Sequence, residues 1–483
     1  MFFDATRAFF VTKNGENLTS RNWIVVGTMF LSLWATSPSW AADSWQLTEQ
    51  MEGKTRRIKT ELKVEGTMRI NPDGKKVRQY PMSLNGKYVA VERVLSPTTA
   101  VRYYEEATAE STANKKPITD TLPTVKRLIA VDTTGDQPIL FNPEYTLSRT
   151  ELDLINVPGN PAVLSKLLPA LPVKINQSWS PDNQTLAQVL GIDAVNSHEV
   201  AATLTEVDGN GLAKISLSGK VSGAIQGVAT EIELKGRLNV DTRHKAITWF
   251  AASIQEDRSI GHAIPGFETT AVVRTQIENA EPVSQLNDAS IGKLQLAAND
   301  GNEMLSFDGE EAGFRVLHPR DWFAMAETAK QTVFRMVGDG ELIAQANVNR
   351  LTNLKAGEQM TLEGFEAEVK KALKERLGQV VDASQTVNSQ GLRELRVTAV
   401  GTANAMPITW IYYLVSDDAG NRYSTVFTFE TQLAEKFGQA DRSFMSGFDL
   451  IETKQPTVAA TEDADEDDAP QLIQADASPV EQR

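Results

Sequence analysis

Four histidines, His198, His244, His262 and His318, are the only imidazoles in the chain, and cysteine is absent. No pair of these histidines forms HxH, HExxH or another short metal-binding spacing, so no metal site and no cofactor is read from them. Without cysteine there is no thiol nucleophile, no disulfide, no iron–sulfur ligand and no cysteine zinc site. No GxSxG elbow presents a serine nucleophile, and no glycine-rich phosphate loop follows a strand. Glu105-Glu106 and Asp417-Asp418 are adjacent in sequence, which does not oppose an acid to a base across a substrate. The basic runs Lys54 to Arg57 and Lys115-Lys116 are short and flanked by acids, so they read as solvated surface. His262 is the least ordinary histidine. It sits in Asp257-Arg258-Ser259-Ile260-Gly261-His262-Ala263-Ile264-Pro265-Gly266, where Gly and Pro interrupt a strand, with Trp249 upstream on the same hairpin. A bulge that turns Trp249, Arg258 and His262 toward a cleft would have this pattern, and so would an ordinary strand break.

The elements that would position such residues fall into two regions. The first, 43–277, is rich in strand alternation. In Thr55 to Ile70, Ile58, Leu62, Val64, Met68 and Ile70 fall largely on one face. Five later stretches, about 197–207, 212–222, 230–240, 246–256 and 268–277, behave likewise. Asp208-Gly209-Asn210-Gly211 supplies a hairpin turn between the first two. Between Thr230 and Val240, apolar and charged residues alternate strictly, so one face is wet and the sheet is an antiparallel meander. Short helices are expected at Ser148 to Ile155, at Pro161 to Leu168, and after an N-cap Ser180 with Pro181 at the first helical position. Long antiparallel strands with a few helices across one mouth describe a half-barrel or clam; a closed barrel or sandwich has the same pattern.

A polar, small-residue stretch over 278–302 reads as a linker. The region 303–451 mixes strands with helices. Thr361 caps a helix expected through Leu377, with Leu362, Phe365, Val369 and Leu373 as its stripe and Gly378 as its stop. A final helix is expected to carry Leu433, Phe437, Ala440 and Phe444 on one face. This makes an α+β unit, an antiparallel sheet covered by helices.

Within it, Gly313-Phe314-Arg315-Val316-Leu317-His318-Pro319-Arg320-Asp321-Trp322, the strand RYSTVFTFE and the ending AEKFGQADRSFMSGFDL resemble the PsbP/Mog1-like superfamily. Its "Ser-Phe" ending is read here as Ser446-Gly447-Phe448, with an inserted glycine. The resemblance implies that fold over about 150 residues and, for function, a non-enzymatic binding or accessory module. The first region is similar in character to uncharacterised secreted bacterial proteins.

The termini speak to destination. Asn22 to Ala42 carries no charge, and Trp23 to Ala35 is a short apolar run behind Arg21. Ser39 and Ala41 are small residues placed as at a signal-peptidase site, so 1–41 reads as a signal peptide cut between Ala41 and Ala42. The run is shorter than the roughly 20 residues that cross a bilayer. The expectation is a secreted or periplasmic chain with no transmembrane segment after cleavage; without cysteine it is not a lipoprotein. The net charge is −15, and the segment 455–483 holds eight acidic residues against one basic, so it reads as a disordered acidic tail. Acidity of this degree argues against nucleic acid as a partner. The functional expectation is a non-enzymatic binding or structural protein whose partner is a hydrophobic ligand or a protein. The alternative is an Asp/Glu-dependent hydrolase of envelope polymers.

Overall fold

The computed structural model describes residues 44–71, 76–113 and 116–451. The signal segment with Ala41 and Ala42, Lys115 and the acidic tail lie outside the described residues. The described residues cluster as one compact unit.

A 13-stranded antiparallel sheet dominates. Its path runs Ser178–Trp179, Ala201–Val207, Leu212–Ile225, Val228–Asp241, Ala246–Arg258, Gly266–Asn279, Thr55–Ile70, Arg78–Val94, Thr99–Ala113, Leu128–Asp132 and Ile139–Phe141, with Ala194–His198 and Lys116–Thr121 paired off the path. The path is open at both ends and does not close into a barrel. Gly266–Asn279 pairs with Thr55–Ile70, joining the last long strand of the region to the first. Strand parity explains the core. Ile58, Thr60 and Leu62 share the buried face and stand opposite Ile277, Thr275 and Val273. Within this pairing the Thr60 and Thr275 hydroxyls meet at 3.0 Å.

Short helices pack onto that face. Arg149–Ile155 starts with a capping box, Ser148 accepting from the Glu151 amide while Glu151 accepts from the Ser148 amide. Asn183–Leu190 is capped by Asp182 rather than Ser180, because the Asp182 carboxylate accepts the Thr185 amide at 2.7 Å. Between 161 and 168 only a 3-10 turn, Leu164–Leu167, forms. Leu152, Ile155, Leu164, Leu167, Leu186 and Leu190 join the sheet's apolar side chains in one continuous core. The 208–211 turn is not the two-residue Asn-Gly type. Asp208 accepts the amides of Asn210 and Leu212, and only Gly211 takes a positive φ, +84°.

A seven-stranded antiparallel sheet follows, ordered Trp322–Glu327, Gln331–Gly338, Glu341–Arg350, Arg422–Glu430, Met406–Ser416, Arg393–Ala403 and Leu377–Val387. One helix, Leu362–Leu373, is capped by Thr361. It stops earlier than expected, and Leu377 already begins a strand. The expected final helix is broken. Ala434–Phe437 ends at Gly438, at φ +55°, and Ala440–Ser446 restarts beyond it. Phe437 and Phe444 still reach the same aromatic core around Phe427.

Two features cross the expected boundary at 278–302. The stretch is not a free spacer, since Leu286 and Ile291 are buried against Val91 and Val101 of the large sheet. A four-stranded sheet also joins Asp449–Leu450, Phe314–His318 and Leu305–Gly309 to Leu147–Ser148 of the first region, which lies parallel to Leu305–Gly309.

Candidate functional site

Three consecutive strands of the large sheet each carry one charged residue in the phase of their buried apolar residues. Arg56 is in step with Ile58, Glu92 with Ala90, and Arg102 with Ala100 and Tyr104. Register aligns them in one row, Arg56 opposite Glu92 and Glu92 opposite Arg102. All three are buried, at 2%, 0% and 5% exposure. The expectation that Lys54 to Arg57 is solvated therefore fails at Arg56, because parity turns its side chain inward with Ile58.

Both guanidiniums grip the same carboxylate by two nitrogens each. Arg56 Nε and Nη2 donate to Glu92 Oε1 at 2.8 and 2.7 Å. Arg102 Nε donates to Glu92 Oε2 at 2.9 Å, and Nη2 bonds the same oxygen. Arg102 continues the network, Nη1 to the Tyr104 hydroxyl at 3.1 Å and Nη2 to Asn160 Oδ1 at 3.0 Å. Burial alone would raise the proton affinity of Glu92, but Arg102 and Arg56 outweigh it and hold the carboxyl at about 2. Glu92 is thus a fixed anion.

Glu49 completes the group from the segment before the first long strand. Its Oε1 accepts Arg56 Nη1 at 3.1 Å and the Ile247 amide at 3.4 Å. Burial raises its proton affinity more than Arg56 lowers it, the reverse of the balance at Glu92.

Two clefts open beside Arg56. The larger, 540 Å³, is lined by Glu49, Glu52, Lys54, Arg56 and hydroxyls including Thr98 and Thr133. The smaller, 340 Å³, shares Met51 and Arg56 and reaches Asp241 and His244. Of the buried row only Arg56 lines these clefts, with Glu49 beside it in the larger, while Glu92 and Arg102 lie behind it. A volume of 540 Å³ suits a small molecule or a partner's side chain.

The residues singled out from sequence lie elsewhere. Trp249 and Arg258 sit nine residues apart on one strand, roughly 30 Å at about 3.3 Å per residue. Arg258 stacks on Phe267 at 4.5 Å and lies 3.2 Å from Glu256. The His262 carbonyl accepts Arg335 Nη1 at 2.5 Å, and burial with Arg335 nearby lowers the affinity of its ring for a proton. His262 thus belongs to the contact with the seven-stranded sheet, Arg258 is held by Glu256 and Phe267 of the large sheet's own region, and Trp249 joins neither. His198 accepts the Val200 amide, and exposed His244 pairs with Asp241 at 2.7 Å. His318 is buried between Phe334 and Phe444. Among the described residues no cluster of three or more His, Asp or Glu could hold a metal, and no helix is long and apolar enough to cross a membrane. Glu49, Arg56, Glu92 and Arg102 were missed because each is an ordinary charge locally. Their shared apolar phase on neighbouring strands was the available signal.

No protein-family model and no curated protein matches the chain. Among solved structures, the chain is similar to the Ran-binding protein Mog1p of Saccharomyces cerevisiae, at 11% identity and TM-score 0.24, covering 31% of this chain and 96% of that one. It is similar to cyanobacterial PsbP (CyanoP) from Synechocystis, at 12% identity and TM-score 0.23, covering 32% and 98%. A structure from Bacteroides thetaiotaomicron is similar at 12% identity and TM-score 0.23 over 30% of this chain, which spans about half, 48%, of that one. Likeness at this level speaks to neither ligand nor partner.

Proposed function

We propose that the protein is a secreted or envelope binding protein without catalytic activity, and that it binds through the 540 Å³ cleft lined by Glu49 and Arg56. The supporting observation is that cleft, an opening lined by Glu49 and Arg56, with Arg56 fixed from behind by its bonds to buried Glu92. Burying charge is costly, and a half-barrel needs none to hold together. An arginine and a glutamate fixed by charge-assisted bonds at the wall of an opening are suited to holding a polar group in one orientation. A clam built for an acyl chain would keep its apolar face open, whereas here Leu152, Leu186 and Leu190 pack onto that face. A small polar ligand or a side chain of a protein partner fits better. The N-terminal segment, read as a signal, supports a site of action beyond the cytoplasmic membrane.

Native mass spectrometry of protein purified from its own envelope tests this, beside a Thr98→Trp variant that places an indole at the cleft. The expected result is a bound small molecule or partner that the variant loses. Equal retention by both would overturn the reading.

The hydrolase alternative has one specific support, the raised proton affinity of Glu49 in a cleft that also holds Glu52. Glu92, ionised to about 2, is no acid catalyst. Release of soluble fragments from envelope polymers, abolished by Glu49→Gln, would favour hydrolysis over binding.

A further inference from the structure

Resting on that cleft being the binding site, we infer that its ligand carries a protonated primary amine and that Glu49 Oε2 is the atom that receives it. The inference follows from which bonds are already taken. All three nitrogens of Arg56 are already engaged by carboxylates, Nε and Nη2 by Glu92 and Nη1 by Glu49, which leaves one N–H on each terminal nitrogen and a charge already compensated. An incoming carboxylate or phosphate would meet an occupied guanidinium and the negative edge of Glu49.

Glu49 is in the opposite condition. Its side chain is only 8% exposed, and both bonds made to it fall on Oε1. No donor among the described residues reaches Oε2. Oε2 is left open on a residue that lines the cleft, and a charge-assisted N–H donor is the partner a carboxylate oxygen binds best. Burial raises the proton affinity of Glu49 by more than Arg56 and the Ile247 amide lower it, so a further positive charge beside it would be stabilising.

The other charges of the cleft agree with this. The positive charges of Arg56 and Arg102 are matched within the buried group by Glu92 and Glu49. At the exposed rim Glu52 stands against Lys54. The added charge of an ammonium is thus placed beside two carboxylates, with one lysine at the solvent edge. Thr98, Thr133 and Ser165 along the wall supply hydroxyls for the body of the ligand.

Matched probes test the claim on the mature full chain. Isothermal titration compares glucosamine with glucose, and cadaverine with pentanediol, each pair differing by amine for hydroxyl. Carboxylate resonances of ¹³C-labelled glutamate report on Glu49. The expected result is about tenfold or tighter binding of each amine, as a charge-assisted bond in a buried site provides. That preference should vanish in Glu49→Gln, and the Glu49 titration midpoint should fall when amine binds. Thr98→Trp should weaken both members of a pair, which separates the cleft from the anchor. Equal binding of amine and hydroxyl at the cleft, or better binding of an acetate or phosphate probe, overturns the amine inference and leaves the binding site standing. If no probe binds or moves the Glu49 signal, the inference and the cleft both fall.

Discussion

Arg56 and Glu92 face each other across neighbouring strands, Nε 2.8 Å from Oε1, with both side chains withdrawn from water. A buried pair of this kind is revealing when one partner is neutralised, because the other charge is left stranded. Glu92→Gln leaves Arg102 without its anion and Arg56 with Glu49 alone. It should cost about 3–5 kcal/mol of stability in urea denaturation. Glu105→Gln, which breaks the half-exposed pair with Arg57, should cost under about 1 kcal/mol. Equal losses would show that the row is not what holds these three strands in register.

Acid should destabilise the fold through two groups in successive windows. His318 is held neutral by burial, down at about 4 from 6.5. Between those values the unfolded chain binds a proton that the folded chain does not, so stability falls as pH drops through this range. The shift corresponds to about 3 kcal/mol. Glu92, at about 2 instead of 4.5, loses its contribution only as pH falls from 4.5 toward 2. Glu49, with its proton affinity raised, works the other way and gains on acidification. His318→Gln should flatten the slope of unfolding free energy between pH 6.5 and 4.5 and leave the steeper loss below it. A slope unchanged by the substitution would place the acid sensitivity elsewhere.

Two turns meet back to back where the large sheet touches the seven-stranded one. Gly227 and Gly340 both have positive φ, +68° and +80°, and a Cβ on either would lie within 2.0–2.7 Å of the other's backbone. Gly340→Ala should therefore unseat the contact as well as strain its own turn. Gly53→Ala, also at positive φ but facing open space, isolates the strain, at about 1 kcal/mol. Limited proteolysis should cut the Gly340→Ala protein near these turns and spare the Gly53→Ala protein.

How far the sequence reaches depends on whether the signal is local. Thr55 to Ile70 is legible end to end because its alternation repeats, and the structure has the strand at Thr55–Ile70. The capped start of Arg149–Ile155 is legible for the same reason, since Ser148 and Glu151 are three apart. The register between distant strands is not local, so the alignment of Arg56, Glu92 and Arg102 could not be read, and their charges looked like surface. The final helix failed on backbone rather than pattern. Leu433, Phe437 and Phe444 keep their apolar roles, but Gly438 lets the chain break between them. Trp249, Arg258 and His262 stood out because Gly and Pro mark an interruption, and an interruption does not say what it accommodates. Here it accommodates Arg335.

The junction between the first region and the rest is made by two arginines that exchange places. Arg149 donates to the Arg320 carbonyl and lies over the Phe323 ring at 4.5 Å. Arg320 in turn donates to the Leu140 carbonyl at 2.8 Å and the Glu303 carbonyl at 3.0 Å. The short parallel pairing of Leu147–Ser148 with Leu305–Ser306 lies directly beside them in the chain. Each arginine thus satisfies backbone oxygens of the other's region, and burial makes each bond costly to lose. Arg149→Met should destabilise by about 1.5–3 kcal/mol. Arg149→Met and Arg320→Met should be strongly non-additive, because the second loss acts on a junction already opened. In the double variant, thermal unfolding should split, with the Trp322 and Trp410 fluorescence of the seven-stranded sheet changing at a different temperature from the hydrogen exchange of the large sheet. A single coincident transition in that variant would show that the two sheets are coupled by the glycine contact and the 278–302 segment instead.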